Sequence, residues 1–135
     1  MSLEIIERDR DGIVVLEVKG RFVLGPSTEV FRDKTRALIQ AGKASFILNL
    51  RQVDHIDSSG LGELVALSDA LGRDTGCVKL VDVNKKQIEL LVITKLTTVF
   101  ELFDDEQDAV NSFFPDRNVR KFDLLSFVRE LKGKP

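Results

Sequence analysis

Two adjacent hydroxyls, Ser58 and Ser59, stand behind Asp57 and ahead of Gly60 and Gly62 in the stretch "DHIDSSGLGEL", residues 54–64. An apolar run, "SFILNL" (45–50), precedes it and an amphipathic run follows, so the serines fall where a strand would hand over to a helix. Several kinds of chemistry suit such residues. A serine at that junction can cap the helix, because its oxygen accepts from the free amides of the first turn. It can also carry a phosphoryl group: a helix N-terminus favours negative charge, so the roughly −1.5 to −2 charges added there need not unfold the domain. Such a charge, next to Asp57, would act on a partner by repulsion and bulk. Glycines without Cβ atoms let a phosphate or another chain approach the turn closely.

Enzymatic readings fare worse. A nucleophilic serine needs a base, and the single histidine, His55, lies on the same short segment. The order "SSGLG" is not the G-x-S-x-G elbow of hydrolases. The glycines are not followed by the lysine of a phosphate-binding loop, and "GLG" lacks the third glycine of the dinucleotide fingerprint. No catalytic residue and no cofactor is therefore expected. Between the cap and the phosphoacceptor, physical grounds alone favour a cap at Ser58.

The elements that must position this junction can be read on either side of it. "LEIIERD" (3–9) leads through "RDG" into the β-branched "IVVLEVKG" (13–20), which predicts an N-terminal hairpin. Gly25 and Pro26 mark a loop, Ser27 or Thr28 is a plausible cap, and Val30, Phe31, Leu38 and Ile39 give a helix over 29–40. "SFILNL" reads as a strand buried on both faces. Leu61, Leu64, Val65, Ser68 and Leu71 form the apolar stripe of the next helix, with Glu63, Asp69 and Arg73 on other faces and Gly72 or Gly76 as its end. "CVKLVDV" (77–83) is a strand, Asn84 caps a helix over 84–96, and "TTVFELF" (97–103) is a short strand. "DDEQDAVNSFF" (104–114) has an acidic first turn that suits a helix dipole, and Pro115 breaks it. A last amphipathic helix spans 120–135, carried by Phe122, Leu125, Val128 and Leu131. Strands alternating with helices after a hairpin give an α/β fold: one domain with a mixed sheet of about four or five strands, helices packed on it, and right-handed crossovers.

Bulk properties agree with a single soluble domain. The 135 residues carry 43% hydrophobic and 31% charged side chains and a formal charge of −2 with the signs interspersed, which offers nothing to nucleic acid or an anionic membrane. No apolar stretch approaches the roughly 20 residues of a membrane span, and residues 1–10 lack the core of a signal peptide. The lone Cys77 excludes an internal disulfide, suits a reducing cytoplasm, and is expected as a small core residue; with only one histidine beside it, no metal site is expected. Asp104, Asp105, Glu106 and Asp108 are better explained as a charged helix start than as metal ligands. His55 reads as a solvated loop residue, and Lys85 and Lys86 as solvated or as steering an acidic partner.

The stretch "NLRQVDHIDSSGLGELVAL" (49–67) resembles the signature of STAS domains, in particular the bacterial anti-sigma factor antagonists. The likeness covers about residues 3–114, and Asp57-Ser58-Ser59-Gly60-Leu61-Gly62 matches the family motif in full. The resemblance implies a cytoplasmic, non-enzymatic protein of a partner-switching pathway. Ser58 would be the phosphoacceptor, and Asp57, Ser58, Ser59, Gly60, Leu61 and Gly62 would form the docking surface. The implied partners are an anti-sigma factor that is also a serine kinase with a histidine-kinase-like ATP-binding fold, and a PP2C-type phosphatase that resets the switch. The unphosphorylated protein would bind the kinase and free a sigma factor. A second reading is a constitutive STAS scaffold or sensor in a larger assembly, with Ser58 only a cap.

Two departures bear on the partner. Arg21, Phe22, Val23 and Leu24 replace the "GELD"-like run that often follows Gly20 in such proteins. The domain boundaries expected are 1–115 for the STAS domain and 116–135 for an amphipathic helical extension, which packs on the sheet by default or else forms a homodimer or docks a partner.

Overall fold

A computed structural model describes residues 3–72 and 78–133. Strands β1 (Glu4–Arg10) and β2 (Ile13–Phe22) form the expected hairpin, paired antiparallel from Glu4↔Lys19 to Arg10↔Ile13. Asp11 and Gly12 both have positive φ, 57° and 85°, as a two-residue hairpin turn of matching twist requires. The chain continues through α1 (Pro26–Gln40), β3 (Phe46–Ile56), α2 (Ser58–Leu71), β4 (Val78–Val81), α3 (Lys85–Ile93), β5 (Glu101–Phe103), α4 (Glu106–Asn111) and α5 (Leu124–Gly133). The five-stranded sheet has the order β1-β2-β3-β4-β5, and every pair after the hairpin is parallel. It is the mixed α/β sheet that the alternating elements predict.

Period-two alternation sends side chains to two cores. Val14, Leu16, Val18, Phe46, Leu48, Leu50, Val78 and Leu80 join the larger one, with Phe31 of α1, Leu61 and Leu64 of α2, and Ile88 and Leu91 of α3. Ile13, Val15, Ile47, Val81 and Phe103 join the smaller one, closed by Ala109 and Val110 of α4. Lys79 is buried on this second face; its ammonium lies 4.5 Å from the Phe113 ring centroid and 3.2 Å from a Glu101 carboxylate oxygen.

Several boundaries differ from those read in the sequence. Helix α1 starts at Pro26 with Gly25 as its cap, because Ser27 and Thr28 are buried inside its first turn and the Thr28 hydroxyl donates back to the Gly25 carbonyl at 2.9 Å. Strand β3 runs on to Ile56: beyond Leu50 only one face is covered, so Val53 is buried while Arg51, Gln52, Asp54 and His55 are exposed. A 3-10 turn, Leu96–Thr98, takes the start of the expected last strand. Helix α4 is short, and α5 begins at Leu124, where the Asp123 carboxylate accepts from the Ser126 amide at 3.1 Å and hydroxyl at 2.8 Å. The expectations for Arg73, Gly76 and Cys77 lie outside the described residues.

The acidic start of α4 is more than a dipole partner. Glu106 accepts from Arg8 at 2.6 and 3.1 Å and from Arg10 at 2.6 Å, and Arg8 also donates to Glu17 at 2.9 Å. These bonds fasten the hairpin to the helix on the smaller core. Among the described residues no group of three or more His, Cys, Asp or Glu side chains is arranged to hold a metal ion, and no helix is long and apolar enough to cross a membrane. The tail turns back over the sheet: the Phe122 amide donates to the Leu102 carbonyl at 3.4 Å, and Phe122, Leu124 and Phe127 pack on the larger core.

Candidate functional site

Ser58 is the first residue of α2, not its cap. The cap is Asp57, whose extended backbone (φ −109°, ψ −174°) turns the chain out of β3. Its Oδ1 accepts from the Ser59 amide at 2.9 Å and the Gly60 amide at 3.0 Å, so the cap function that the sequence offered to Ser58 is already taken. Its other oxygen, Oδ2, accepts from the Leu24 amide at 3.0 Å, and its own amide donates to the Phe22 carbonyl at 3.4 Å. One aspartate therefore ties the end of β2 and the loop after it to the start of α2. These amides, Gly60 and Leu24 first, hold the Asp57 carboxyl below the usual carboxylate range, against the opposing effect of its partial burial.

The two glycines of the motif do different work. A Cβ on Gly60 would sit 2.2 Å from the Phe22 carbonyl oxygen and 2.9 Å from a side-chain carbon of Ile56, so β2 and α2 touch there through backbone. A Cβ on Gly62 would meet nothing within 4 Å. Gly60 and Leu61 are buried, Gly62 and Ser58 are exposed, and Ser59 lies between. The motif is thus half an anchor and half a surface.

The Ser58 hydroxyl has no hydrogen-bond partner among the described residues, and it projects from a helix start that the Asp57 bonds hold still. His55 is exposed on β3 opposite Arg21 of β2, and among the described residues it makes no hydrogen bond to Ser58. Lys85 and Lys86 are exposed at the start of α3, where Asn84 and Gln87 form a capping box. Leu24, a large apolar residue that is 75% exposed, stands beside Asp57 through the hydrogen bond just described. Sequence reading flagged the 21–24 run but not the Leu24–Asp57 bond, which joins residues 33 positions apart and leaves no local signal.

The geometry now has known counterparts. Residues 4–109 match the STAS domain family. An anti-sigma F factor antagonist from Paenibacillus polymyxa is 24% identical over 110 residues, which are 82% of this chain and 94% of that one. The crystal structure of an anti-sigma factor antagonist from Mycobacterium paratuberculosis superposes with a TM-score of 0.70 at 23% identity, covering 82% of this chain and 92% of the other. The Bacillus cell fate determinant SpoIIAA in its phosphorylated form superposes with a TM-score of 0.64 at 19% identity, covering 82% and 99%. With the whole sheet, its hairpin edge and the strand-to-helix motif all inside the matched span, the chain belongs to the STAS domain family.

Proposed function

We propose that this protein is an anti-sigma factor antagonist: unphosphorylated, it binds an anti-sigma factor that is also a serine kinase, and phosphorylation of Ser58 ends that binding. The observation that carries the reading is an exposed, unbonded serine hydroxyl at the first position of a helix whose start is fixed by Asp57. Similarity to antagonists of the same class, one of them a phosphorylated protein, supports it.

The bonding around Asp57 determines how such a phosphate would act. The amides of Ser59 and Gly60 are already engaged, and Leu61 donates to the Asp57 carbonyl at 3.0 Å. A phosphoryl group on Ser58 would find these donors occupied and an ionised carboxylate next to it. Its charge would therefore face outward, changing what the surface repels and leaving the fold as it is. The role is regulatory, with no catalytic residue of its own; a PP2C-type phosphatase would restore the unmodified state. Beyond residue 115 the chain extends the domain by α5, whose Leu124 and Phe127 pack with Phe122 on the larger core and serve its stability.

The test is phosphorylation with ATP and the cognate anti-sigma factor kinase, mapped by mass spectrometry. Modification should fall on Ser58 and vanish in Ser58→Ala; transfer to another residue, or none, would sink the switch. Ser58→Asp should weaken kinase binding by about a hundredfold, the scale of a like-charge contact in an interface.

A further inference from the structure

Strand β3 outruns its neighbour. It spans Phe46–Ile56, and β2 accompanies it to Ile56, but β4 pairs with it only from Phe46 to Asn49. The chain leaves β4 at Asp82, whose φ is 56° and whose carboxylate accepts from the Asn49 side chain at 3.1 Å. Past Asn49 the β4 side of β3 is a bare strand edge. Side chains cover its first part: Asn49 Oδ1 accepts from the Arg51 amide at 3.0 Å, and Gln87 Nε2 donates to the carbonyls of Leu50 and Val53 at 3.3 and 3.5 Å. Over Asp54–Ile56 no side chain among the described residues does this. There the edge opens onto a groove of about 320 Å³ between β3 and α3.

Apolar and acidic groups line that groove. Ile56, Leu90 and Ile93 supply the apolar part, and Ile93 is 76% exposed. Asp54 and Glu89 line it too, neither in an ion pair among the described residues, and with Lys86 they leave one net negative charge. Ile56, which lines the groove, lies two residues before the exposed Ser58 in the chain.

We propose that this groove takes an extended segment of the anti-sigma partner, added as a strand along Asp54–Ile56, with an aliphatic side chain among Ile56, Leu90 and Ile93 and a cationic one toward Asp54 and Glu89. The inference rests on the reading of the Ser58 face as a docking surface and gives that surface a second anchor. A bare edge supplies backbone donors and acceptors, and alternate side chains of the added strand supply specificity. The acidic lining selects a basic segment. So short a strand binds weakly alone and gains strength from being tethered to the contact at Ser58.

Titrating the full-length, 15N-labelled protein with a short capped peptide of alternating valine and lysine tests the groove directly. Saturable amide shifts should centre on Asp54, His55, Ile56 and α3, be absent with a valine–glutamate peptide, and weaken by about tenfold in Ile93→Asp. Equal response to both peptides, shifts elsewhere, or indifference to Ile93→Asp would overturn the proposal. Ile93 is exposed enough for that substitution to leave the fold intact. Binding of the anti-sigma kinase then separates the two readings. If Ser58→Asp weakens it and Ile93→Asp does not, the groove falls and the switch stands; the reverse result keeps the groove and removes the switch. A concentration-dependent dimer abolished by Ile93→Asp would place a second copy in the groove and overturn the choice of partner.

Discussion

Two carboxylates begin two helices on opposite faces of the sheet, and they are held by different means. Asp57 opens α2 and is held by three backbone amides, two in its own helix and one from Leu24. Glu106 opens α4 and is held by the guanidinium groups of Arg8 and Arg10. Both carboxyls are lowered from their ordinary range, Asp57 chiefly by the Gly60 amide and Glu106 chiefly by its bond to Arg8. Backbone donors leave the aspartate's charge uncancelled and fix main-chain geometry next to an exposed hydroxyl. Arginine donors consume the charge and fasten two distant segments. The first arrangement suits a surface on which added charge must be felt by a partner; the second is a fastening.

The largest expected effect comes from breaking the backbone contact on which the first arrangement stands. Gly60→Ala puts a methyl 2.2 Å from a carbonyl oxygen that belongs to β2 backbone and cannot swing away. It should cost about 3 kcal/mol, read as a fall in Tm of about 10 °C. Gly62→Ala, two residues on with open space around it, should instead gain about 0.5–1 kcal/mol from reduced backbone freedom. Equal responses of the two glycines would mean that β2 and α2 are not pressed together at Gly60.

Next in size is the cap itself. Asp57→Ala removes the acceptor of three amides and should cost about 1–2 kcal/mol by chemical denaturation, with Asp57→Asn losing clearly less because the amide oxygen still caps. Glu106→Gln should cost about 1 kcal/mol or less, since its arginine partners Arg8 and Arg10 are 38% and 31% exposed and solvent screens the pairs. Salt and pH then sharpen the comparison. A carboxyl whose folded-state pKa is lowered contributes stability that is complete above the ordinary carboxylate range and is lost as pH falls through the folded value, so both sites destabilise the protein on acidification below about pH 4. The Glu106 share acts between full charges and should shrink in high salt, whereas the Asp57 share, made with neutral amides, should persist. In Glu106→Gln the acid limb of the stability curve should therefore lose most of its salt dependence; an unchanged salt response would assign that dependence elsewhere.

Much of this was legible in the sequence, and most of what escaped it was decided by distant residues. The hairpin turn at Asp11-Gly12, the β3-to-α2 junction and the apolar positions of α2 follow from local pattern, because turn chemistry and helical spacing act over a few residues. The choice of Asp57 over Ser58 as cap does not. Both are good capping residues, and Asp57 alone is also held by an amide from Leu24, in the loop after β2 that the sheet brings alongside. The same holds for Gly60 against Gly62, identical in the sequence and opposite in packing, because only one faces the Phe22 carbonyl. Glu106 looked like a helix-dipole residue because its partner Arg8 is 98 positions away. Thr28 and Ser27 looked like caps and are buried, since α1 starts at Pro26, three residues early. The misses at Asp57, Gly60 and Glu106 are long-range contacts overriding a local preference; the one at Ser27 and Thr28 is local, set by Pro26.

The smallest expected effect on stability is the one on which the regulatory reading depends. Ser58 is exposed, its hydroxyl is unbonded among the described residues, and the amides nearby already serve Asp57. Ser58→Asp should therefore change unfolding free energy by no more than about 0.5 kcal/mol, the usual range for a surface substitution. The small attraction of the new carboxylate to the helix N-terminus is opposed by its neighbour Asp57. Circular-dichroism melts of wild type and variant should superimpose within about 2 °C. If they do, any loss of partner binding in Ser58→Asp belongs to the surface and not to the fold. If the variant instead loses more than about 1 kcal/mol, charge at position 58 is felt by the α2 start itself, and the division of labour between Asp57 as anchor and Ser58 as signal fails.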